Sequence, residues 1–123
     1  MLFRSPVALG TDGVPPSMVW TAWQAQARWD EDSRAPVGES GLTREEALRM
    51  SVQTGHLLTW SEDRAGSLEP GKVADLVVLA EDPLACPLDR LRDLAVEMTI
   101  VGGEVVHPDG CAPAVLDLPR GAG

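Results

Sequence analysis

The chain has 123 residues, 44% of them hydrophobic and 24% charged, which is room for one ordinary globular domain. A formal net charge of −9 with no basic cluster excludes a nucleic-acid-binding surface. No apolar run approaches the length that crosses a bilayer, and Met1 to Gly10 lacks the apolar core of a signal peptide, so a cytoplasmic protein without a membrane partner is expected.

Val7-Ala8-Leu9 is a short apolar run closed by Gly10-Thr11-Asp12-Gly13, the pattern of a strand running into a turn. Almost nothing precedes that strand, and "MLFRS" has no structural logic of its own. Those five residues can be encoded by a common sequencing-adapter sequence, so a truncated gene is expected. After Pro15-Pro16, Ser17 predicts an N-cap for a helix to about Trp29, with Trp20, Trp23 and Ala27 on one apolar face. "DEDSRAPVGESG", residues 30–41, reads as a polar loop. Thr43 opens a second helix through a capping box with Glu46. Glu45 and Arg49 add an i,i+4 pair worth about 0.2–0.5 kcal/mol. The helical pattern runs to about Trp60, with a break expected near Gly55.

The stretch "GSLEPGK", Gly66 to Lys72, fits the spacing of a phosphate-binding loop. That loop requires a Ser or Thr after the lysine and a helix after the loop. Here Val73 follows Lys72, Glu69 would place a negative charge in the cradle, and "ADLVVLA" reads as a buried strand. Pro70-Gly71 is better explained as the centre of a type II turn. Strands are expected at Ala74–Ala80, Val96–Val101 and Glu104–His107, with Gly102-Gly103 as a two-residue hairpin turn. In that register Ile100 faces Val105 and Met98 faces His107. Residues 108–123, rich in Pro, Gly and Ala, are expected to form a flexible tail, and Cys86 and Cys111 to be free thiols. Two helices and four short strands leave apolar faces without cover, so the chain reads as part of something larger, with self-association through exposed apolar surface as a further expectation.

"LTREEALRMSVQTGHLLTWSEDRAGSLEPGKVADLVVLAEDPL" followed by "DLAVEMTIVGGEVVH" resembles the C-terminal end of metal-dependent amidohydrolases, of the branch called amidohydrolase family 3. The resemblance covers about Pro6 to His107. It implies an α/β fold: residues 1–65 as the last strand and helices of a (β/α)8 barrel, and residues 66–107 as C-terminal strands of the accompanying small β-sandwich. It implies hydrolysis of carbon–nitrogen bonds other than peptide bonds in a small-molecule amide, with one or two divalent metals, zinc first among them, activating a water. Asp12 matches the family's aspartate at the end of the last barrel strand, both metal ligand and proton acceptor.

The family's His-x-His, its middle-strand lysine or carboxylate and its two further histidines have no counterpart here. His56 and His107 stand in other contexts and read as packed or surface histidines, and Lys72 lies in a turn. One ligand does not make a metal site, so no metal is expected on this chain alone. The chain thus reads as an inactive C-terminal piece of a hydrolase. The alternatives are a non-catalytic binding or assembly module and a non-functional fragment.

Overall fold

The computed structural model describes residues 6–12, 17–38 and 41–107. The expectations placed on Met1–Ser5, Pro15-Pro16, Cys111 and the tail lie outside those residues. The first helix is Met18–Ala27, α1. Ser17 caps it as expected: its backbone is extended, with φ −134°, and its hydroxyl accepts the Trp20 N–H at 3.3 Å. The helix stops two residues before Trp29 because Arg28 turns left-handed, with φ 49°. Ala22 and Trp23 are buried, and the Trp20 ring lies 5.9 Å from that of Trp23.

The segment expected to be loop throughout holds a small ladder instead. Trp29–Asp30, β1, pairs antiparallel with Ala35–Pro36, β2. Local bonds hold it: the Asp30 carboxylate accepts the Ser33 N–H at 2.9 Å, and the Gln24 amide donates to Trp29 O. The chain then passes directly over the end of α1. Leu42 N–H donates to Ala25 O at 3.1 Å, and a Cβ on Gly41 would fall 2.1 Å from Gln26 O. Only glycine fits that crossing.

The second helix, α2, is Arg44–Val52, and both halves of the Thr43–Glu46 capping box are present. The Glu45–Arg49 pair forms at 2.9 Å on the exposed face. The helical path breaks at Gln53, not at Gly55, and continues as α3, Thr54–Leu58. The N–H of Thr43, and then its hydroxyl, hold the Glu46 carboxyl below its ordinary value of 4.5. A depressed carboxyl stabilises the fold fully above its unfolded value and loses that contribution as pH falls through the folded one. Glu46→Gln should therefore lower the urea midpoint slightly at neutral pH and leave it unchanged well below pH 4.5.

Three antiparallel strands follow in the order β3-β4-β5: Leu76–Leu79, Val96–Val101 and Glu104–His107. Gly102 and Gly103, with φ 58° and 86°, form the expected hairpin turn. Ile100 lies opposite Val105 as expected, but His107 lies opposite Thr99 and not Met98, because a bulge shifts the register between Thr99 and Ile100. A one-turn helix, α4, at Leu88–Leu91 joins β3 to β4.

The core gathers Ala22, Trp23, Ala47, Cys86, Leu91 and Leu94, so it sits between α1, α2 and the α4 connector. Arg44 ties these parts together. Its guanidinium donates to Gln26 Oε1 at 2.8 Å, to Pro83 O at 2.6 Å and to Cys86 O at 3.1 Å. The sheet contributes little: Val77, Val101 and Val105 are each more than half exposed. Val7-Ala8-Leu9 forms no strand among the described residues, its anchor being Leu9 N–H on Met50 O at 3.2 Å. A strand needs a neighbour to pair with, and none is described next to this run.

Candidate functional site

The site expected from the sequence is Asp12. It stands exposed just past the apolar run Val7-Ala8-Leu9, with φ 50°. Asp and Asn are the non-glycine side chains that tolerate this left-handed conformation best. The backbone thus presents the carboxylate at the turn that ends the run. Among the described residues, no three of His, Cys, Asp and Glu come together as a metal-binding group. Asp12 offers one carboxylate, and these residues do not by themselves fit a divalent metal.

The other residues with candidate chemistry are placed elsewhere. The His56 ring packs against Gly66, where a Cβ would come within 2.7 Å of His56 Cδ2, and His56 Nδ1 lies 2.9 Å from Ser61 Oγ. His56 is therefore a packed histidine, as its sequence context indicates. His107 lies on β5.

Lys72 closes the turn read at Gly66 to Lys72. Its N–H donates to Glu69 O at 3.1 Å while Gly71 takes φ 94°, the geometry of a type II turn over Pro70-Gly71. Lys72 Nζ donates to Ser67 Oγ at 2.7 Å and lies 3.5 Å from Glu69 Oε1. The Ser67 hydroxyl, and then Lys72, hold the Glu69 carboxyl below its ordinary value. The lysine is thus consumed by its own turn, and the chain leaves that turn into β3. No phosphate cradle is present in this loop.

Sequence reading missed a charged groove between β3 and α4, lined by Glu81, Asp89, Arg90, Arg92 and Asp93. Arg90 pairs with Glu81, Arg92 Nε lies 3.3 Å from Asp93 Oδ2, and the Arg92 guanidinium lies 5.1 Å from the centre of the Trp23 ring. Each arginine already faces a carboxylate. The one available signal was the arginine spacing in "LDRLRD".

The family model described as the amidohydrolase family matches residues 4–107. The chain is 34% identical over 90 residues to the N-substituted formamide deformylase of Arthrobacter pascens. That stretch covers 72% of this chain and 16% of the deformylase, so the chain spans only a small part of that relative's length. No solved structure matches. With all its described residues inside the matched region, the chain belongs to the amidohydrolase family.

Proposed function

We propose that the chain is the C-terminal part of a hydrolase of carbon–nitrogen bonds outside peptides, acting on small amides of the N-substituted formamide kind. The observation that carries this reading is the family match over residues 4–107 together with the deformylase relative. In this reading residues 1–65 complete a barrel and residues 66–107 belong to the small β-sandwich beside it. The half-exposed apolar strands support that reading, since such strands are normally covered.

Asp12 is then the one catalytic group on this chain. Its carboxylate accepts the proton of the attacking water and passes it to the departing amine, so that the amide carbon gains an oxygen and loses its nitrogen. A divalent metal, zinc by resemblance, would take one carboxylate from Asp12 and its other ligands from residues beyond this chain. The chain alone is inactive in this account. The assembly-module alternative draws on the same exposed sheet, but accounts less well for the position of Asp12.

The test is a chimera in which this chain replaces the matched region of the Arthrobacter pascens deformylase. The chimera should hydrolyse an N-substituted formamide, and the 123-residue chain alone should not. A folded chimera without activity would remove the hydrolase reading.

A further inference from the structure

The last turn of α3 closes in a way that ordinarily requires glycine. Thr59 caps the helix, Trp60 takes φ 56°, and the Ser61 N–H donates back to His56 O at 2.9 Å. That return bond around one left-handed residue is the Schellman ending, whose left-handed position is usually glycine because a Cβ is crowded there. Four non-glycine residues take positive φ among the described ones: Asp12, Arg28, Arg34 and Trp60. Trp60 is the one apolar side chain in that set, and for so bulky a residue the conformation is a strained one.

Nothing in the turn itself calls for the indole. His56 Nδ1 lies 2.9 Å from Ser61 Oγ, and the Thr59 hydroxyl lies 2.9 Å from the same oxygen and donates to Gly55 O at 3.2 Å. These bonds and the Ser61 return bond use no atom of the Trp60 side chain, and glycine at this position would keep them all. The indole is 89% exposed, so it gains no packing within the described residues to offset the strain. Leu57 and Leu58, on the same turn, are 45% and 52% exposed. The turn stands at the joint between residues 1–65 and 66–107, the parts assigned above to barrel and sandwich, and Gly66 closes on the His56 ring beside it.

We infer, on the barrel-and-sandwich reading above, that Trp60 is an anchor seated in an apolar cleft of the part of the amidohydrolase fold that lies outside this chain. The matched stretch is only 16% of the deformylase, so most of such a fold lies elsewhere and can flank this joint. A contact within one polypeptide avoids the entropy cost of bringing two molecules together. A second copy is the weaker occupant, since each carries a net charge of −9 and the copies repel. Burying a tryptophan removes about 150–250 Å² from water, which offsets a strained backbone. Its indole N–H needs a partner once buried, so the cleft is apolar with one hydrogen-bond acceptor.

Trp60→Gly tests this by a change of sign. In the 123-residue chain the substitution relieves the backbone and removes no packing, and should raise the urea midpoint by roughly 0.2–0.5 M. In the folded chimera it empties the cleft and should lower the midpoint by at least as much, with Trp60→Phe recovering part. Hydroxyl-radical footprinting reads the same contact: oxidation of Trp60 should be several-fold slower in the chimera than in the chain alone. A midpoint raised in both settings, with Trp60 oxidised equally fast, overturns the inference. So does a midpoint lowered in the chain alone, which places the indole contact within the chain or, where the loss grows with concentration, in a second copy. Neither measurement needs turnover, so a folded chimera without activity removes the hydrolase reading and leaves this anchor standing if the sign reverses.

Discussion

Asp12→Asn in the active chimera should lower the rate of formamide hydrolysis about 10²–10⁴-fold, the usual cost of losing a general base. The substitution isolates the charge. Asn tolerates the left-handed backbone at φ 50° nearly as well as Asp does, and the side chain is exposed, so the fold loses no packing. In the 123-residue chain by itself the same change should leave the urea midpoint where it was. Glu69→Gln is the control, because Glu69 belongs to the turn that Lys72 closes, away from Asp12 in sequence. The pair is decisive in steady-state kinetics. A chimera that keeps its rate with Asn at position 12 would remove the catalytic role from Asp12 while leaving the family assignment standing.

Arg44→Met should be the most destabilising of the polar substitutions, by about 2–4 kcal/mol. The long methionine side chain preserves much of the stem's volume, so the loss is one of donors. Gln26 Oε1 and the carbonyls of Pro83 and Cys86 all take bonds from the one guanidinium, in partly buried surroundings. Leaving a buried acceptor unpaired costs about 1–3 kcal/mol, and bonds from a charged donor are stronger than neutral ones. Arg44→Lys should recover only part, since an ammonium is a compact point and not a fork that spans two segments. Urea unfolding followed by circular dichroism measures both. A loss below about 1 kcal/mol for Arg44→Met would mean that water replaces the guanidinium at no great cost.

What could be read from the sequence is what local chemistry decides. Ser17 at its helix start, the Thr43–Glu46 box and the Gly102-Gly103 turn each act within a few residues, and each stands where the spacing put it. Where the outcome depends on distant partners, sequence reading stops short. Val7-Ala8-Leu9 has strand composition, but composition supplies no neighbour to pair with. The β1–β2 ladder and α4 are too short to leave a period, and the ladder is held by bonds such as the Gln24 amide on Trp29 O. The shift that moves His107 opposite Thr99 has no residue signature. The role of Arg44 left no local mark, because the carbonyls it meets lie some forty residues further on. The candidate site was legible only through resemblance: one aspartate at the end of an apolar run carries no donor set of its own.

The tryptophans divide the chain optically. Trp23 is 6% exposed, with Trp20 on one side and the Arg92 guanidinium nearby, so its emission follows the packing of α1 on α4. Trp60 is 89% exposed beyond the end of α3, on a residue with φ 56°. A quencher dissolved in the water reaches Trp60 at once and Trp23 only when the helices part. One fluorescence record therefore spans a surface signal from beyond α3 and an interior one from Trp23, with the half-buried Trp20 and Trp29 between them, and the quenched fraction orders the four.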